Sequence, residues 1–203
     1  MRFDPKLKHS IARQVLGSVL FLATAGCVGQ ETTAYFPEHV FRVYANVPES
    51  TLERAYSKTL LSLQEPSLWQ ASRTQGISTY RFLLMPHSMA VVKVPRSVRL
   101  DLQPDGTSTI TSREGFGKKV KTKTKTLTTE QTQAFLDLVE QSGFWNLPSI
   151  GPESGLDGQM WVIEGVKNKQ YHLIERWSPE GDVRKLGHMM MRTLAKIDVG
   201  REL

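Results

Sequence analysis

One cysteine, Cys27, occurs in 203 residues. A lone thiol excludes an internal disulfide framework and any C-x-x-C redox or zinc motif. Long apolar runs are missing too. The longest, Val15–Ala25 (VLGSVLFLATA), falls short of the roughly 20 residues that a membrane-spanning helix needs. There is no G-x-S-x-G elbow and no H-E-x-x-H pair, and Gly115-Phe116-Gly117 lacks the third glycine of a phosphate loop. The four histidines beyond the first 26 residues, His39, His87, His172 and His188, are scattered without metal-ligand spacing. These absences exclude the standard hydrolase, metalloprotease and nucleotide-binding signatures, and no cofactor or metal is expected. A triad assembled only in three dimensions leaves no such signature.

What is present at the start of the chain points to export. Met1–Gln14 carries Arg2, Lys6, Lys8 and Arg13 against one acid, Asp4, and the short apolar run follows. A basic stretch, a short apolar core and small residues at its end predict a signal peptide over residues 1–26. Thr24-Ala25-Gly26-Cys27 resembles a bacterial lipobox, in which the cysteine receives diacylglycerol and becomes the new N-terminus. Thr24 stands where that pattern usually has an aliphatic residue. Ala23-Thr24-Ala25 also fits ordinary cleavage, which would give a secreted or periplasmic soluble protein. Lipidation accounts for a free exported thiol, so Cys27 is the expected lipidation site. Val28 follows it, not the aspartate associated with inner-membrane retention. The resemblance therefore implies an outer-membrane anchor facing the periplasm.

Charge supports no nucleic-acid partner. The whole chain has 26 basic and 20 acidic residues; without residues 1–26 these become 22 and 19, a net charge of +3. The pI near 9.5 overstates the exported part. About 177 residues remain, enough for one domain with a sizeable core. Residues 27–37 read as a tether and 38–203 as a single domain.

His39–Val47 has the composition of a strand. Ser50 and Glu53 stand at capping-box spacing ahead of a helical apolar stripe, Leu52, Ala55, Tyr56, Thr59, Leu60 and Leu63, that ends near Gln64. Strands are expected at Ile77–Met85 and Met89–Val94, broken by Pro86, then at Val98–Gln103 and Thr107–Arg113 around the Asp105-Gly106 turn, and at Lys118–Thr126. Thr128 and Gln131 cap a second helix that Gly143 stops, with Phe144, Trp145 and Leu147 tucked back beneath it. A last hairpin precedes a helix over Asp182–Ile197 with Asp182 as N-cap. The fold class is α+β: an antiparallel sheet with helices packed on one face.

The hairpin carries the most charge. With Asn168-Lys169 as a two-residue turn, Val166 faces Tyr171, Glu164 faces Leu173, Ile163 faces Ile174 and Trp161 faces Arg176. Trp161, His172 and Arg176 then share one sheet face, and Glu164 and Glu175 the other. Glu164 sits among apolar side chains and needs a backbone N–H or an arginine from elsewhere. The structural reading is a core hairpin with satisfied polar groups. The functional reading is a ligand-binding edge of Asp157, Trp161, His172 and Arg176.

The pattern G-L-D-G-x-x-W-x-x-E-G at 155–165, Y-H at 171–172 and R-W-S-P at 176–179 resembles a widespread family of uncharacterised bacterial secreted proteins and lipoproteins. Asp105-Gly106 and the T-x-E-Q…G-F-W-x-L-P segment, Thr128–Pro148, match blocks that precede the pattern in that family. The resemblance covers roughly Tyr80–Leu194 and implies export without implying an activity.

Two other motifs divide similarly. In KKVKTKTKT, Lys119, Lys121, Lys123 and Lys125 alternate onto one side of a strand. That arrangement protects a sheet edge from further strands, or attracts anionic glycans or lipid head groups. No aromatic interleaves, so base stacking gains no support. His188-Met189-Met190-Met191 has soft ligands suited to Cu(I), but helical geometry makes the three sulfurs diverge, so core filling is expected. The function these features favour is a noncatalytic cell-envelope lipoprotein. It would bind a partner protein or anionic polymer through the lysines with Asp157, Trp161, His172 and Arg176. The alternatives are a hydrolase using Asp157, Glu164 and His172, or a structural or immunity-type inhibitor, which an exposed apolar patch on the sheet would favour.

Overall fold

A computed structural model of the chain describes residues 34–41, 48–74, 76–87, 94–152 and 158–197. All of them belong to one compact unit, residues 33–203. The expected signal peptide, Cys27, the first part of the tether, Asp157 and the expected strand at Met89–Val94, apart from Val94, lie outside the described residues.

Six antiparallel strands form one sheet in the order β4-β3-β2-β1-β5-β6. They are β1 (Ser78–His87), β2 (Arg96–Leu102), β3 (Ser108–Glu114), β4 (Lys121–Thr126), β5 (Gly158–Lys167) and β6 (Gln170–Trp177). The helices are α1 (Glu49–Ser62), α2 (Leu68–Ala71), α3 (Thr129–Gln141) and α4 (Gly181–His188). The α+β class is as expected. The helices, however, cover both faces. Phe135 and Val139 of α3, with Leu186 of α4, pack on Tyr80, Phe82, Val98, Leu100, Trp161, Ile163 and Ile174. Tyr56 and Leu60 of α1, with Phe36 and Phe41, pack on Leu83, Val162 and Leu173. A sheet solvated on one side alternates apolar and polar residues, whereas β1, β5 and β6 are apolar at both parities and so demand two covers.

Several boundaries differ from those expected. Pro86 does not break β1: the strand reaches His87 because β2 pairs only as far as Leu84, leaving Pro86 beside β5 alone. Residues 39–41 are turn and coil, with His39 at φ 57°; residues 42–47 lie outside the described residues. Ser50 does not cap α1. Pro48 occupies the cap position with φ −55° and ψ 138°, and makes no side-chain cap bond. Its fixed φ sets the approach, and the cap and first helical residue lie two residues earlier than the Ser50 signal implies. Asp182 likewise lies in the first turn of α4, with Glu180 at the cap. The tail then widens into a π turn, Met189–Leu194, which turns Met190 and Met191 together into the core with Leu194. The capping box of Thr128 and Gln131 is present, and Gly143 ends α3 at φ 63°.

Candidate functional site

The β5–β6 hairpin closes through Asn168 and Lys169, both left-handed at φ 53° and 66°. Trp161 therefore pairs with Arg176, Ile163 with Ile174, Glu164 with Leu173 and Val166 with Tyr171. That register sends Glu164 and His172 to opposite faces, so the sheet separates the two described members of the hydrolase arrangement.

The remaining hairpin residues are held by the fold. Trp161 is buried, with its ring 4.9 Å from Phe82. The Arg176 guanidinium donates to the carbonyls of Pro148 at 2.7 Å, Ser149 at 3.2 Å and Glu175 at 2.8 Å. Segment 149–151 runs along β6, with the Glu175 N–H on the Ser149 carbonyl at 2.7 Å and the Gly151 N–H on the Glu175 carbonyl at 3.1 Å. Arg176 thus helps to close that edge of the sheet. Glu175 accepts from the Tyr56 hydroxyl at 2.7 Å on the other face.

His172 lies beneath the turn after α3, its ring 5.1 Å from Phe144 and 6.2 Å from Trp145. Burial, aided by the Arg176 charge, pushes its pKa below the usual histidine range. The unfolded chain then takes up the proton first. His172 favours the fold above about pH 6.5, and that contribution is lost as pH falls toward the lower folded value. Thermal unfolding of His172→Gln between pH 5 and 7 is expected to show a shallower acid-side decline than the parent; an identical slope would exclude the linkage. His188 is also lowered by burial and keeps its own slope in both proteins.

Glu164 finds the arginine it requires in β1. Arg81 pairs with Glu164 in register, and its Nε donates to Glu164 Oε2 at 2.7 Å. Arg81 Nη2 contacts the same oxygen, and the Tyr171 hydroxyl donates to Oε1 at 2.9 Å. Arg81 Nη1 donates to the Pro66 carbonyl at 2.6 Å and to the Tyr35 hydroxyl at 3.2 Å. Beside it the Glu65 carboxylate receives Arg99 at 2.8 Å, Arg113 at 2.5 Å and the Ser97 hydroxyl at 2.9 Å. Burial opposes the charge on Glu65, but Arg81, Arg99 and Arg113 together outweigh it and hold the carboxyl below its usual range. Burial raises Glu164, against the pull of Arg81 and Tyr171. Glu65, Arg81, Arg99 and Arg113 were not among the sequence candidates. The trace in the sequence was a charged residue, Arg81 or Glu164, at an apolar-parity position of its own strand; that the two strands are neighbours appears only in the sheet order. Every acid here meets a basic or hydroxyl donor, so the cluster can hold the sheet to the 65–66 loop.

The lysine run is divided. Gly117–Lys119 forms a 3₁₀ turn, which removes Lys119 from the strand expected at Lys118–Thr126. β4 keeps Lys121, Lys123 and Lys125, paired with Glu114, Ser112 and Ile110. Alternation places the three lysines on the α3–α4 face at about 7 Å spacing. The Leu127 N–H donates to the Ser108 carbonyl at 2.8 Å. Counting back in twos, the backbones of Lys121, Lys123 and Lys125 face β3, and those of Thr122 and Thr124 face outward. β4 is the last strand on its side of the sheet. The opposite edge is partly closed by segment 149–151, and β4 carries lysines instead. No ion pair of these lysines occurs among the described residues.

A groove of about 570 Å³ opens along α4, lined by Leu138, Arg184, Lys185, His188, Met189 and Thr193 among others. None of the hairpin candidates reaches it. Among the described residues no cluster of His, Cys, Asp or Glu could hold a metal, and no helix is long and apolar enough to cross a membrane. Fold and surface together define an α+β domain with two covered faces, a buried ion-pair cluster and one lysine-lined edge. No protein-family model and no curated protein sequence matches the chain.

Proposed function

We propose that the chain is a noncatalytic binding module of the bacterial cell envelope, anchored by lipid on Cys27, that holds an anionic partner along β4. The carrying observation is the row Lys121, Lys123 and Lys125 on a terminal strand whose outward backbone groups, at Thr122 and Thr124, have no neighbouring strand among the described residues. An acidic protein segment or anionic polymer meets both features: its charges match the ammonium row, and a peptide can also take the free backbone groups. The leader, the solitary cysteine and the resemblance of the 155–179 motif to secreted bacterial proteins support the envelope location. An outer-membrane position facing the periplasm follows from Val28 after the cysteine.

Two measurements test this reading. Metabolic labelling with a tritiated fatty acid is expected to mark the native chain and not Cys27→Ser; equal labelling of both contradicts the anchor. Capture from detergent-solubilised envelopes, read by mass spectrometry, is expected to recover an acidic protein or anionic polymer. That partner is expected to be lost from the Lys121→Glu, Lys123→Glu, Lys125→Glu triple variant and from the parent at high salt. Recovery undiminished by charge reversal contradicts the lysine edge.

A further inference from the structure

The large hydrophobic side chains that stay exposed among the described residues are Leu61 at 61%, Phe116 at 50% and Val94 at 37%. They are far apart in sequence, but hydrogen bonds tie the segments that carry them to one end of the sheet. Phe116 lies between β3 and the Gly117–Lys119 turn. Val94 precedes Pro95, whose carbonyl receives the Gly115 N–H at 3.4 Å. Leu61 accepts the Gln64 N–H through its carbonyl at 3.0 Å, and the Gln64 side-chain amide donates to the Gly117 carbonyl at 3.1 Å. Lys118 and Lys119 are exposed in the same turn and Lys121 is exposed just after it. None of these three makes an ion pair among the described residues.

The turn is sterically specified. Gly115 adopts φ 129°, and a Cβ there would come 2.6 Å from the Lys119 carbonyl oxygen; Gly117 adopts φ 51°. The backbone that presents Phe116 and the lysines therefore depends on glycine at both positions.

We propose that this tip is a membrane-contact element, in which Phe116, Leu61 and Val94 enter the interfacial layer of an anionic leaflet while Lys118, Lys119 and Lys121 bind its phosphates. An exposed phenylalanine beside lysines in one turn matches the two terms that hold proteins on such surfaces, buried apolar area and attraction to anionic head groups. A protein hot spot calls for a concave, desolvated pocket, and the α4 groove is lined by other residues. This contact shares Lys121 with the row proposed for β4 and otherwise uses a different part of the surface, the turn before that strand.

The test uses the whole chain in a Cys27→Ser background, which leaves no other thiol, with Phe116→Cys carrying an environment-sensitive dye. Vesicles of phosphatidylglycerol with phosphatidylethanolamine are expected to blue-shift the dye, and phosphatidylcholine vesicles are not. The same dye at Lys169→Cys, in the turn at the other end of the sheet, is expected to stay unshifted. Lys118→Glu with Lys119→Glu is expected to weaken the Phe116-site response about tenfold or more, since each lysine near the surface contributes strongly. Lys123→Glu with Lys125→Glu is expected to leave it unchanged, which separates this element from the β4 proposal. No shift on anionic vesicles, an equal shift at Lys169, or no effect of the Lys118 and Lys119 reversal overturns it. So does light scattering that shows a dimer dissociated by Phe116→Ser, which would make the patch an interface between copies.

Discussion

Arg81→Met is expected to lower the unfolding free energy by about 3–5 kcal/mol, the usual result of removing one partner from a buried ion pair. Arg81 is fully buried at the centre of the sheet, and its guanidinium serves Glu164, the Pro66 carbonyl and Tyr35 at once. Methionine fills much of the volume but leaves Glu164, also fully buried, with only the Tyr171 hydroxyl. Glu65 keeps Arg99 and Arg113, so the damage centres on Glu164. The variant is expected to recover part of its loss as pH falls, because a carboxyl with a raised folded pKa favours the fold when protonated and disfavours it as pH rises. Arg81→Met combined with Glu164→Leu is expected to be more stable than Arg81→Met alone, since an apolar pair of similar volume often replaces a buried ion pair without loss. Urea denaturation of the two variants and the parent measures this. A loss under about 1 kcal/mol for Arg81→Met would show that Glu164 does not depend on Arg81 in the core.

The second large effect is expected at Gly187, where alanine should destabilise although it is the better helix former. In an exposed helix the exchange gains about 1 kcal/mol. Gly187 is in α4 and buried, and a Cβ there would overlap the Trp161 ring and lie 2.8 Å from Phe82. Overpacking of this kind costs about 1–3 kcal/mol. The sign of the change is therefore diagnostic: a loss means that α4 is seated on Trp161, and a gain means that it is not. Gly187→Ala with Trp161→Phe is expected to be less additive than two distant changes, because the smaller ring vacates the contested space. Thermal unfolding of the single and double variants reads both points.

Local chemistry was legible wherever neighbours in sequence settle it. Asn168-Lys169 gave the hairpin register to the residue, because a two-residue turn leaves no freedom in pairing. Thr128, Gln131 and Gly143 marked the ends of α3 through hydrogen bonds within a few residues. The boundaries that failed were those where a second signal competed: Pro48 against Ser50, Glu180 against Asp182, Gly117 against the lysine alternation. The buried ion pairs depended on strand order. Arg81 and Glu164 are 83 positions apart and meet only because β1 lies beside β5. Glu65 joins side chains from β1, β2 and β3 for the same reason. The second covered face had a trace in the sequence, since Phe82 and Leu83, Val162 and Ile163, and Leu173 and Ile174 are apolar neighbours of opposite parity. Two-sided burial in a meander of strands is what such doublets mean.

Charge is thus used in two ways here. Acids and arginines on the α1 face neutralise one another out of water, and lysines on β4 stay in it. The first use needs no partner molecule, so the proposed binding rests on the second.

Photo-crosslinking in intact envelopes addresses that binding most directly. With a photoreactive residue at Thr122 or Thr124, whose backbone faces outward from β4, illumination is expected to give one shifted species. The same residue at Gln170, on the other terminal strand, is expected to give none. Reversal of Lys121, Lys123 and Lys125 to glutamate should abolish the adduct. Adducts from Gln170 with none from Thr122 or Thr124, or β4 adducts that persist after charge reversal, would contradict the assignment of β4 as the binding edge.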